Sequence, residues 1–454
     1  MRKIAANRET PLTRGRPADD VRRGPTSMIS VRKGSALIVG AMLALTACGG
    51  GDSGDDRAGD GTVTLTWWHN ATAEPLRPFW QQVADDYTAS HPKVKFKIEA
   101  IQNEQFQTKM PVALQSNDPP DIFQQWGGGN QADQVESGKV MDITDASKDW
   151  IDSLGGSAAG WQTDGKQYGV PYSLGIVGFW YNKELFQKAG ITTAPATVDD
   201  LDAAIAKLKG AGITPIAIGS KDRWPDAFYW EYFALRECSL DTLKSSLSGL
   251  KMDDPCFLKA GQDTQKLVGA QPFQKGFLGT PAQQGAGSSA GLLANGKAAM
   301  ELQGHWNPGV MSALTTDKNL NAKLGWFAFP TVSGGAGASD VQLGGGDGFS
   351  CSYKAPPECV DFLKYVVSPE VQSKFGALNV GLPVAKGSES SVTDPTLKGV
   401  LDARGASSYV QTYFDIATPT AVGQALNDAI ANHFAGKATP EQVVKAFSDA
   451  AAQQ

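Results

Sequence analysis

Histidine and cysteine are scarce, four and five in 454 residues, and none of them stands at C-x2-C or H-x3–5-H spacing. A zinc centre is therefore weakly supported by the sequence. Long apolar runs are missing too: the longest candidate, Ala36 to Leu45, is too short to cross a bilayer as a mature helix. Basic residues do not outnumber acidic ones, 41 against 47, so neither nucleic acid nor an anionic lipid surface is the expected ligand. No repeat of fixed period is present. Two apparent motifs dissolve on inspection. Gly291 to Lys297 has the spacing of a phosphate loop, but Ala298 stands where Ser or Thr is required. Gly287 to Gly291 matches G-x-S-x-G, but no strand precedes it, and it reads as a helix start.

What is plentiful is chain length, glycine and aromatic surface, with 51 Gly and 11 Trp. The length predicts two domains. The first sixty residues are kept out of the fold. Arg32 and Lys33 precede the apolar run, which ends in Leu45-Thr46-Ala47-Cys48, a pattern similar to a bacterial lipobox. Residues 1–47 are thus expected to be a lipoprotein signal peptide, with Cys48 lipidated and 48–61 a flexible Gly/Asp tether. Met28 is the expected translation start, because Met1 to Ser27 is long and Arg-rich for a leader. Loss of residues 1–47 removes nine Lys/Arg and three Asp/Glu and moves the formal net charge from −6 to near −12. The other four cysteines suggest two disulfides, Cys238 with Cys256 and Cys351 with Cys359 by proximity, although four cysteines allow three connectivities.

The mature chain opens with strand Thr62 to Trp68, an amphipathic helix carrying Phe79, Trp80, Val83, Ala84 and Tyr87, and a strand through Val94, Phe96 and Ile98. A helix from Gln105 to Gln115 and the strand Ile122-Phe123 follow. This β-α-β-α-β order predicts parallel strands with right-handed crossovers, and ligands beyond their carboxyl ends. The residues found there are His69, Asn70, Asn103, Glu104, Gln125 and Trp126. Tyr168 to Lys183 (YGVPYSLGIVGFWYNK) is a β-favouring run broken by Pro171, Gly175 and Gly178, suited to leave one packed unit and enter another. Past it, the strand Thr214 to Ile218 leads to Lys221-Asp222-Arg223-Trp224, and Ala298 to Gln303 runs into Gly304-His305-Trp306. A second α/β unit is expected here. Val341-Gln342-Leu343 then enters a Gly-rich run with one carboxylate, Asp347.

These pieces, in this order, resemble the carbohydrate-binding extracellular solute-binding proteins of ABC importers, family 1. The resemblance rests on the lipobox, DPPDIF at Asp118 to Phe123, G-K-x-Y-G-V-P-Y at Gly165 to Tyr172, FWYNKELFQKAGI at Phe179 to Ile191, and Gln303-Gly304-His305-Trp306. Its finer texture (WWHNAT, QNEQFQTKM, PPDIFQQWGGG) looks like actinobacterial binding proteins for xylobiose and related β-linked oligosaccharides. The resemblance implies a periplasmic-binding-protein-like α/β fold, two lobes joined by three hinge segments around a cleft. By position the crossings would be Tyr172 to Ile176, Gln303 to Pro308 and Gly344 to Phe349. Lobe one would be 62–172 plus 308–344, and lobe two 173–307 plus 345–454. It further implies an oligosaccharide ligand, permease subunits as partners, a monomer lipid-anchored at the outer face of the cell membrane, and neither cofactor nor catalysis.

A neutral sugar presents hydroxyl edges and apolar C–H faces, so its site needs planar polar side chains at the rim and aromatic plates on the faces. Trp126, Trp224 and Trp306 are the leading plates, with Tyr172 and Trp68 next. Asp347 and Arg223 are the charged candidates, and Asn70, Gln125, Asn103, Glu104 and His305 the polar ones; a solvated or interlobe ion pair is the equal alternative for Arg223, and a satisfied hinge residue for His305. Two rival readings remain. A secreted glycoside hydrolase would use Glu104 and Asp347 as its carboxylate pair. A cell-surface lectin would share the tether and aromatics without needing three crossings.

Overall fold

The computed structural model describes residues 60–454; the leader, Cys48 and most of the tether lie outside them. The strand Val63–His69 buries Val63, Leu65, Trp67 and His69 on alternate positions, as its period-two pattern dictates. It pairs in parallel with Val94–Ala100 on one side and Ile122–Gln125 on the other. The helix Leu76–Ser90 covers this sheet with Trp80, Val83, Ala84 and Tyr87, so the β-α-β-α-β reading holds. The long strand Val341–Cys351 adds antiparallel to Ile122–Gln125 and is bordered by Tyr409–Thr412 and Val170–Ile176, which makes six strands. Trp67 is the hub of this first core: its ring meets those of Trp80, Phe349 and Phe362 edge-on at 5.6, 5.1 and 5.1 Å.

A second sheet of four strands runs in the order Leu324–Phe327, Gly178–Asn182, Ala298–Gln303, Thr214–Ile216. Its core collects Phe179, Leu201, Ile205 and the almost wholly buried helix Trp224–Glu237. Arg236 on that helix is buried as well. Its guanidinium donates to the carbonyls of Phe329, Pro330, Ala338 and Val341, which ties the helix to the root of the long strand. The cysteines join as Cys238–Cys256 and Cys351–Cys359, with Cα–Cα distances of 5.1 and 6.2 Å. Ser288 starts a helix, Ser289–Ala294, by accepting from the Gly291 amide, so the G-x-S-x-G match is a cap. Among the described residues no helix is long and apolar enough to cross a membrane.

The lobe boundaries read from sequence need correction in the second half. Tyr172 belongs to the first core and Val177 to the second, and Leu343 to the second and Phe349 to the first, so the chain passes between the cores at both places. Gln303 to Pro308 is not such a passage. The helix Asn307–Ala313 stays with the second lobe, where Met311 packs beside Leu324. Residues 308–344 therefore do not join lobe one, because Leu324–Phe327 pairs antiparallel with Gly178–Asn182. Conversely, Phe349, Phe362, Leu363 and Phe375, expected in lobe two, pack on Trp67 and Trp80. The third passage lies further on, between Ala385 in the first core and Val392 with the second lobe.

Because Trp67 meets five other rings, those of His69, Trp80, Phe96, Phe349 and Phe362, at full burial, Trp67→Ala should destabilise the protein by about 3–5 kcal/mol. Urea unfolding followed by circular dichroism checks this. A loss under about 1 kcal/mol would deny Trp67 its central place.

Candidate functional site

A cleft of about 240 Å3 opens between the two sheets' cores. Its first-lobe wall comes from residues just past the strand ends: Asn70 to Leu76 after the first strand, Gln102 and Asn103 after the second, Trp126 after the third. That is where open α/β sheets put ligands. The second-lobe wall is aromatic. Trp224 and Phe228 stand four residues apart on the helix Trp224–Glu237, their rings 5.3 Å apart. Trp306 lies 6.5 Å from Trp224 and 6.3 Å from Tyr413, and Phe228 stands 5.1 Å from Tyr413.

Asp347 sits between these walls. The register of Val341–Cys351 against Val170–Ile176 shifts between Asp347 and Gly348, and such a bulge re-aims a side chain. Gln124 Nε2 and Trp126 Nε1 both donate to Asp347 Oδ1, at 2.8 and 3.0 Å. The carboxylate thereby fixes the Trp126 ring, which also meets Phe106 edge-on at 5.7 Å. Burial pushes the Asp347 carboxyl up to about 6, and the bond from Trp126 only partly offsets it. Two further polar groups near it lack partners: the buried hydroxyl of Tyr413 and Oε1 of Gln124.

The family of bacterial extracellular solute-binding proteins matches residues 72–373 of this sequence. The chain belongs to that family. A diacetylchitobiose binding protein of Streptomyces coelicolor is 27% identical over 392 residues, covering 82% of this chain and 84% of that protein. A multiple sugar-binding protein of Streptococcus mutans is 24% identical over 331 residues, covering 67% and 71%. A structure solved in work on xylan utilization by the thermophilic bacterium Caldanaerobius polysaccharolyticus superposes with a TM-score of 0.79 at 29% identity, over 85% of this chain and 99% of that one.

In this solute-binding protein, seven of the twelve residues singled out from sequence line the cleft: Asn70, Asn103, Trp126, Tyr172, Trp224, Trp306 and Asp347. The other five do other things. Arg223 pairs with Asp428 across exposed surface, so its charge is spent outside the cleft. Its backbone, at φ 68° and ψ −49°, makes the tight turn that starts the helix at Trp224. Gln125 is buried beneath the wall, where Oε1 accepts from the amides of Trp126 at 2.8 Å and Gly127 at 3.2 Å. His305 is fully buried, its Nε2 2.9 Å from Ser173 Oγ and its ring filling the space left by Gly175. Burial lowers its pKa to about 3, so the ring is neutral packing. Trp68 packs with Ile101 and Phe106. Glu104 stands at the rim, accepting from Trp224 Nε1 at 3.5 Å and Gln284 Nε2 at 3.3 Å in the opposite lobe.

Sequence reading passed over Gln124, Phe228, Tyr413 and Asp415. Phe228 was reachable from its i, i+4 relation to Trp224. Tyr413 follows the short strand Tyr409–Thr412, whose four residues bury only one position and so leave no alternation to read.

Folding lifts the Asp347 pKa from 3.8 to about 6, so the folded state holds a proton the unfolded chain has released, and stability from this group falls as pH rises through that window. Asp347→Asn should therefore raise the ligand-free Tm at pH 8 and leave it nearly unchanged at pH 3.5. Calorimetric melts of the variant against the wild type check this, and a lower Tm for the variant at pH 8 would contradict it.

Proposed function

We propose that this protein captures a neutral β-linked di- to tetrasaccharide, of which xylobiose is the leading candidate, by closing its lobes, and hands it to the permease of an ABC importer. The observation that carries the reading is Asp347 at the base of a cleft walled by Trp126 on one side and Trp224 and Trp306 on the other. Rings of this kind cover C–H faces of a pyranose, and a carboxylate accepts from paired hydroxyls, each charge-assisted bond worth about 1.5–3 kcal/mol. The relatives for diacetylchitobiose and multiple sugars, and the structure from xylan work, support a sugar. Lipidation at Cys48 would tether the domain at the outer face of the membrane, as a monomer, with no cofactor.

The lining residues also narrow the ligand by charge. Glu74, Asp347 and Asp415 are acidic, and Lys, Arg and His are absent from the lining. An acidic sugar finds no counter-charge there and meets three carboxylates. Xylobiose, xylotetraose and N,N′-diacetylchitobiose should be compared with a glucuronate-bearing xylo-oligosaccharide in a thermal-shift panel. At least one neutral sugar is expected to raise Tm by several degrees at saturation, the acidic one not at all, and no sugar to be shortened on prolonged incubation. Silence from every sugar would defeat the assignment; shortened products would make the protein a glycosidase. Trp306→Ala should weaken the bound sugar by at least ten-fold, about 1.4 kcal/mol.

A further inference from the structure

The three glycines after Trp126 are not explained by the sugar site. They open the helix Gly128–Glu136, which leaves the first sheet and runs against the second lobe. A Cβ at Gly128, where φ is +61°, would come within 2.3 Å of the Ile416 carbonyl oxygen, and one at Gly129 within 2.3 Å of that of Thr418. Only glycine admits this backbone approach. Directly after them, Asn130 Nδ2 donates to Thr420 Oγ1 at 3.2 Å, and about one turn on Asp133 Oδ2 accepts from the Thr420 amide at 2.8 Å. Thr420 is the first residue of the helix Thr420–Phe434, so a carboxylate of one lobe caps the N-terminus of a helix in the other.

The chemistry of this seam suits contact that is made and broken. A permanently packed helix face is apolar. Here the facing groups are glycine, amide and carboxylate, and Gln131, the helix's buried residue, has no partner for either amide atom. Groups that water can satisfy in one state lose less on separation than an apolar face would. The seam is also continuous with the cleft: Ile416 lines it, and Trp126 stands two residues before Gly128.

We propose that Gly128, Gly129, Asn130 and Asp133, docking on residues 416–420, form a latch made on closure, which sets ligand affinity without touching ligand. This rests on capture by lobe closure. A ligand that contacts both lobes gains the latch's contacts as well as its own, and release must break them. Asn130, Gly129 and Asp133 are positioning residues in this sense.

The double variant N130C/T420C, oxidised without ligand, tests the latch directly, with the single variant N130C as reference so that both native disulfides stay intact. The cross-linked protein should show a smaller radius of gyration by X-ray scattering than the reference. Cross-linking with no change in scattering would mean that the seam is a fixed pivot, and failure to cross-link would mean that the segments do not meet; either overturns the proposal. In a second arm, Gly129→Val should weaken xylobiose or N,N′-diacetylchitobiose, whichever the wild type binds, by ten-fold or more through faster release, with the ligand-free Tm within a few degrees. Unchanged affinity would overturn the latch. If the wild type binds neither sugar, the sugar reading fails while the scattering comparison still decides the latch.

Discussion

The antiparallel pairing of Val341–Cys351 with Val170–Ile176 is the constraint on which both lobes depend. Each strand begins in one apolar core and ends in the other, so their ladder is at once the structural joint and the floor of the cleft. Gly344, Gly345 and Gly346 make it possible. A Cβ on Gly344 or Gly346 would lie 2.3 or 2.4 Å from a carbonyl of the partner strand, and one on Gly345 would strike the Tyr413 ring at 2.4 Å. The glycine run is thus a packing requirement before it is a hinge, and it lets Tyr413, part of the aromatic wall, lie directly on the strand that carries Asp347.

From that joint the site is assembled in two unlike halves. The first lobe contributes amides and one indole from strand ends, and the second contributes rings from a helix and two loops. The halves are unequal: most of the rings, Trp224, Phe228, Trp306 and Tyr413, lie on the second lobe, and Asp347 faces them beside the amides and indole of the first. The geometry therefore rewards closure only when a ligand supplies both kinds of surface at once. Asp347 is held by Gln124 and Trp126 of the first lobe, so the charge and its orienting ring move together.

Much of this was legible in sequence, and the failures have physical causes. Elements with clean periodicity, the first strands and the helix with Trp80 and Tyr87, were read correctly, and so was the broken run from Tyr168 to Lys183 that changes cores, through its β-favouring composition. Site residues next to strand ends were found because strand ends can be read locally. Arg223 and His305 stayed open between two readings for the same reason: their neighbours in sequence line the cleft, but the side chains turn to Asp428 and Ser173, partners fixed by tertiary packing alone. The lobe of Leu324–Phe327 was misassigned because antiparallel pairing across a long insertion leaves no mark in the strand itself.

His305 shows how a residue outside the cleft still serves it. Gly175 lacks a Cβ, and a Cβ there would meet His305 Cγ at 2.3 Å, so the imidazole is seated against the crossing strand. Its Nε2 bonds Ser173 Oγ, which in turn accepts from the Leu382 amide near the third passage. One neutral ring and one hydroxyl thus connect the first passage, at Ser173, with the turn after Gln303 and the return segment at Leu382. Three stretches far apart in sequence meet at a point where any added charge would be buried, and that is reason enough for the imidazole to stay neutral down to about pH 3. Of the two readings the sequence left open for His305, sugar hand or hinge residue, this packing matches the second: the ring is the pin that keeps the cleft's back wall in register.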